Sequence, residues 1–213
     1  MRVLFLTDSL SLPRKYKTGV AKWEDTYVNL LKKARPDIEF IHVGLGGGTI
    51  TQIFLLLNYY KLTNPDLVIL HSGIVDCAPR ALSQLELQLV IKLRIFRLVN
   101  PFTNFFRKHR NISYTNPKEF EETVVKIKNV FPDVPFVTIG ILPGCDEYEK
   151  TVPGITKRIN TYNEILRRNS TYISNEDFPR DGIIEDHHHL NEKGHKVIFD
   201  KILNLLSSDK YKD

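Results

Sequence analysis

Along the chain, short continuous apolar runs alternate with longer segments whose apolar residues recur every three or four positions, the pattern of buried strands alternating with amphipathic helices. Residues 3–6 form one such run, which breaks at Thr7-Asp8-Ser9, and residues 38–43, 67–71 and 136–142 repeat it, with a shorter strand expected at 171–174. Between them, Trp23, Tyr27, Leu30 and Leu31 fall on one face of a helix expected over 23–34. Further helices are expected at 50–60, 117–131, 156–167 and 191–206, with loops at 10–18 and 175–189. Strands that are apolar without alternation bury both faces. Four or five of them separated by helices predict an α/β fold, three-layer α/β/α, around a parallel sheet of about five strands.

One stretch departs from this rhythm. Residues 81–99 read as a strongly apolar helix carrying Lys92, Arg94 and Arg97, and residues 100–116 as an aromatic and basic connection with Phe102, Phe105, Phe106 and Tyr114. The chain's net charge is +5, yet residues 77–116 hold seven basic residues against Glu86 alone, a local +6 that leaves about −1 for the rest. Basicity confined to one segment argues against a nucleic-acid partner. The stretch reads either as a helix with a solvated charged face or as a lid or docking surface over 92–114, for an anionic substrate or the inner face of a membrane. With 213 residues, 42% hydrophobic and 26% charged, a single soluble domain over 1–213 is expected, with a basic, aromatic insertion at about 81–116. Cys77 and Cys145 are too few for a disulfide framework and lack metal-binding spacing. The first apolar run is too short for a signal peptide and far below the ~18 residues of a membrane span, so a cytoplasmic protein is expected.

The chemistry-bearing residues gather where strands end. Ser9 follows the first run, Gly44-Leu45-Gly46-Gly47-Gly48-Thr49 the second, and Ser72-Gly73-Ile74-Val75-Asp76 the third, while Asp186-His187-His188-His189 precedes the last helix. A serine hydroxyl needs a neighbouring imidazole as general base, and the imidazole a carboxylate to fix its tautomer. Asp186 and His189 supply that pair, three residues apart. The glycine cluster fails the GxGxxG spacing of a dinucleotide site. A metal reading of Asp186, His187, His188, His189 and His195 requires consecutive loop side chains to converge on one ion, which they rarely do. No metal and no cofactor is expected, His187 and His188 read as exposed loop residues, and His195 as a helix-face residue.

In this order and spacing the blocks resemble the SGNH, or GDSL-type, hydrolases, over nearly the whole chain. The resemblance implies a flavodoxin-like three-layer fold with Ser9 as nucleophile, His189 as base and Asp186 as its orienting acid. It implies an oxyanion hole from the N–H groups of Ser9 and Gly47. Two blocks depart: Thr7 stands where the family has glycine, and Val75 where it has the asparagine that donates to the oxyanion. Arg80, in Cys77-Ala78-Pro79-Arg80, is a candidate compensating donor or substrate contact, or a structural arginine. The string from Gly73 to Arg80 also resembles a bacterial subgroup associated with surface-polysaccharide synthesis. The implied activity is hydrolysis of an acyl ester, acetyl by preference, on an acylated carbohydrate or sugar conjugate. The alternatives are an O-acyltransferase acting on a glycan, or a catalytically retired scaffold that binds glycan or partner proteins.

Overall fold

The computed structural model describes residues 1–110 and 112–208. Asn111, within the basic stretch, and residues 209–213, at the end of the expected domain, lie outside the described residues. The strands are β1 (Arg2–Thr7), β2 (Arg14–Tyr16), β3 (Gly19–Ala21), β4 (Glu39–Gly44), β5 (Leu67–His71), β6 (Phe136–Ile139) and β7 (Thr171–Ile173). The helices are α1 (Tyr27–Ala34), α2 (Ile50–Tyr60), α3 (Ile74–Cys77), α4 (Gln84–Lys92), α5 (Phe96–Val99), α6 (Thr103–Arg110), α7 (Pro117–Val130), α8 (Asp146–Thr151), α9 (Ile155–Asn169) and α10 (Glu192–Leu206).

Five strands form one sheet in the order β4-β1-β5-β6-β7, every neighbouring pair parallel. Helices α1 and α10 pack together, as do α2, α7 and α9. This is the three-layer arrangement expected from the apolar pattern. Central strand β5 is buried at every residue, and the side chains of Val3, Leu4, Phe5 and Leu6 on β1 have no exposed surface. The chain moves from β1 outward to β4, then crosses back to β5 on the other side. That reversal at the C-terminal end of β1 is where open α/β sheets leave a crevice for ligands.

Several elements differ from the expected ones. The 10–18 loop instead contains a 3-10 turn at Ser9–Ser11 and the first strand of a two-stranded antiparallel ribbon, β2 with β3. The helix expected from residue 23 begins with a 3-10 turn, Trp23–Asp25, before α1. The loop after β6 holds α8, capped by the Cys145 sulfur, which accepts from Tyr148 N. The turn expected at 72–76 is helical from Ile74: Gly73 is the N-cap of α3, and its φ of +134° suits glycine. A β-carbon there would lie 2.8 Å from Ile141 Cδ1, so position 73 is closed to a side chain on two counts.

Candidate active site

Ser9 stands on the first residue of the 3-10 turn after β1, and Asp8 caps that turn by accepting from Leu10 N at 2.9 Å. The first residue of such a turn has an N–H with no intrahelical acceptor, so that of Ser9 points out of the turn. Thr7, where a glycine was expected, is fully buried; its hydroxyl donates to Val43 O at 3.2 Å and meets Ser11 Oγ, so it is held by polar partners rather than by space.

Asp186 and His189 come from the loop before α10. Ser9 Oγ lies 2.8 Å from His189 Nε2, and His189 Nδ1 lies 2.6 Å from Asp186 Oδ2. The other carboxylate oxygen of Asp186 accepts from the backbone N–H groups of His189 at 3.0 Å and His188 at 3.1 Å, which locks the loop around it. Burial pushes the Asp186 carboxyl up, but the His189 ring N–H and the two histidines beside it outweigh burial and hold it well below the usual carboxylate range. An ionised carboxylate only accepts, so Nδ1 carries the proton and Nε2 offers its lone pair to the Ser9 hydroxyl. Ser9 and His189 are both buried, so water competes little for that hydrogen bond.

Ser9 faces a cavity of about 340 Å³ whose lining includes Val75, Arg80, Arg107, Tyr148, Asp186 and His188. Val75 thus reaches the same space as Ser9, but from the one-turn helix α3 rather than from the end of a strand, and it brings no donor. Arg80 reaches it too. Its Nη2 donates to Val75 O at 2.9 Å and its guanidinium lies 4.2 Å from the Tyr114 ring centroid, while its buried Nε has no partner. Gly47 is not brought into this cavity. It lies on the exposed turn after β4, at φ +70°, and Leu45 N at the start of that turn donates to Thr7 O.

His187 and His188 are not exposed loop residues. Both are partly buried; His188 stacks on Tyr148 at 5.6 Å and 12° and lines the cavity, and His187 Nδ1 meets Arg180 Nη2 at 2.9 Å. His195, expected on a helix face, is buried against the Tyr27 ring, where burial pushes its imidazole down to about 4. Contrary to the expectation that the loop side chains would not converge, the ligating atoms of Asp186, His188 and His189 lie within 4.8 Å of one another and could hold a metal. In this arrangement, however, the Nδ1 atoms of both histidines are hydrogen-bonded to Asp186, His188 to its backbone carbonyl.

Arg107 and Tyr148 were not singled out from the sequence. Arg107 is one of four basic residues at the end of α6, with nothing local to set it apart. Tyr148 lies on the unanticipated helix α8.

No family model and no curated protein matches the chain. Solved structures do. A lipase/acylhydrolase from Enterococcus faecalis superposes with a TM-score of 0.67 at 15% identity, over 96% of this chain and 94% of that one. A lipolytic G-D-S-L family protein from Veillonella parvula gives 0.61 at 12% identity, over 97% and 98%. The psychrotrophic esterase EstA from Pseudoalteromonas sp., solved with monoethylphosphonate as inhibitor, gives 0.52 at 16%, over 95% and 94%. With the strand order and the layers, these likenesses establish that the chain adopts the three-layer α/β/α fold of the SGNH, or GDSL-type, hydrolases.

Proposed function

We propose that the protein is a serine-dependent esterase that removes an acyl group, by preference acetyl, from a carbohydrate. The observation that carries this reading is the continuous relay from Ser9 Oγ through His189 to Asp186, at 2.8 and 2.6 Å. The Ser9 oxygen attacks the ester carbonyl as its proton passes to His189 Nε2. Asp186 stabilises the imidazolium formed, and that proton then leaves with the departing sugar hydroxyl. Water, activated by the same imidazole, attacks the acyl-serine in the second half and releases the acid. The Ser9 N–H is the proposed oxyanion donor. The choice of a carbohydrate ester is supported by the likeness of the Gly73 to Arg80 string to the polysaccharide subgroup.

A fluorophosphonate probe tests the reaction class directly. The wild-type protein is expected to be labelled once, at Ser9, and Ser9→Ala to lose both the label and at least ~10⁴-fold of kcat on an acetyl ester. A folded wild-type protein that takes up no label would reject the reading in favour of a retired scaffold.

A further inference from the structure

Beyond Arg107 the active-site cavity adjoins a second one of about 580 Å³, and Pro79 and Arg107 line both. Its walls face each other with like charge: Arg107 and Lys108 come from α6, Lys157 and Arg158 from α9. Among the described residues, no aspartate or glutamate lines it. Glu149, just before α9, is spent on the N–H groups of Gly154 and Thr156, and Glu164, on α9, pairs with Arg167. Among the described residues Arg107 has no carboxylate partner; Nη1 donates to Thr151 O at 2.9 Å and Asn104 Oδ1 at 3.2 Å, and its buried Nε has no partner. Burial, and then the positive charge of Arg80, push the Arg107 guanidinium below its ordinary value. Arg107, Lys108 and Lys157 gathered around one hollow repel one another, and the arrangement is relieved by an anion placed between them.

We propose that this second cavity binds a phosphate or diphosphate group of the substrate while the acyl ester of the same molecule reaches Ser9. Arg107, on the shared wall, spans the two and offers a fixed fork of donors to phosphate oxygens. The substrate class is then an acylated sugar phosphate or diphosphate, not a neutral glycan. The link to Ser9 rests on the esterase reading; anion binding itself does not, and the two are measured separately.

Calorimetric titration of the full chain with inorganic pyrophosphate measures the anion site without catalysis. Binding is expected to weaken steeply with salt, and Lys108→Gln and Lys157→Gln to weaken it by roughly tenfold each. Both lysines are exposed, so these variants keep the test open if Arg107→Gln fails to fold. Wild-type protein that binds no pyrophosphate, or lysine variants that bind it like wild type, would overturn the site. In the catalytic arm, kcat/KM for an acetylated glucose phosphate is expected to exceed that for the acetylated glucose at least about tenfold, and the Lys108→Gln/Lys157→Gln protein to lose that preference. Equal kcat/KM values on the two esters would overturn the link to Ser9. Pyrophosphate binding without Ser9 labelling would leave the anion site and reject the esterase; labelling without pyrophosphate binding would do the reverse. Tighter binding of uridine diphosphate than of pyrophosphate would mark a nucleotide carrier, and tighter binding of farnesyl diphosphate a lipid carrier, either outcome supporting the site.

Discussion

Val75 is the residue on which the efficiency of the proposed chemistry turns. It shares the cavity with Ser9 and cannot donate, and loss of one oxyanion donor in serine hydrolases costs about 2.7 to 4 kcal/mol of transition-state stabilisation. Asparagine is close to valine in size, and position 75 is only partly buried, so the amide of Val75→Asn can face the cavity. The substitution is expected to raise kcat on a neutral acetyl ester, by up to ~100-fold. Arg80 is held beside it through the Val75 carbonyl, a bond that the side-chain change leaves in place. If Val75→Asn gives no gain while Arg80→Ala falls sharply, the guanidinium already supplies the missing donor. A folded Val75→Asn protein without gain beside a fully active Arg80→Ala protein would reject both accounts.

At the scale of elements, the insertion from α4 to α6 is the part least like a regular α/β unit. The single helix expected over 81–99 is broken after Lys92, because Arg94 adopts a left-handed φ of +56°. Ile95 N donates to Val90 O and Arg94 N to Ile91 O, the paired bonds of a Schellman stop with arginine where glycine is usual. Eight of the large exposed apolar side chains lie in this insertion, from Leu85 and Leu89 to Phe102 and Phe105, with the exposed Lys92 and Arg97 among them. Apolar side chains rimmed by cations suit an anionic lipid surface. Co-sedimentation with phosphatidylserine-containing vesicles is expected for the wild type, and Lys92→Glu/Arg97→Glu is expected to reduce it by about tenfold or more. Equal partition of the two proteins would instead mark a solvated charged face. No helix of the described residues is long and apolar enough to cross a membrane.

For the whole molecule, the site is built over two buried carboxylates. Burial pushes Asp8 up to about 7, opposed by the Leu10 N–H and reinforced by the Asp76 charge. Asp76 is raised to about 6 by burial, against hydrogen bonds from Thr115 and Ile50 N. A carboxyl raised from 3.8 to about 7 keeps its proton in the folded chain where the unfolded chain has lost it. Its contribution to stability is therefore complete below about pH 4 and is lost as pH rises through about 7. Asp8→Asn removes that titration while keeping an oxygen for Leu10 N. Its stability relative to wild type is expected to improve by on the order of 4 kcal/mol between about pH 4 and about pH 8, read from denaturant melts at each pH. A constant difference across that range would show that Asp8 titrates in its ordinary range in the folded protein.

The apolar runs by themselves determined the layers, because a strand buried on both faces admits few alternatives to leucine, isoleucine, valine and phenylalanine, as β1 and β5 show. The Asp186 to His189 spacing and the position of Ser9 were likewise legible, since a turn after a strand and a loop before a helix each fix a side chain locally. What the tertiary structure decided is everything that depends on two distant segments meeting. It brought Arg107 and Tyr148 to the cavity that Ser9 lines, set His188 onto Tyr148, and buried His195 against Tyr27, none of which leaves a periodicity in the chain. It also set α6 against α9 across a hollow lined with cations. A lone arginine or lysine on a helix reads as solvated whether it faces water or another cation, and only the packing of the helices tells the two apart.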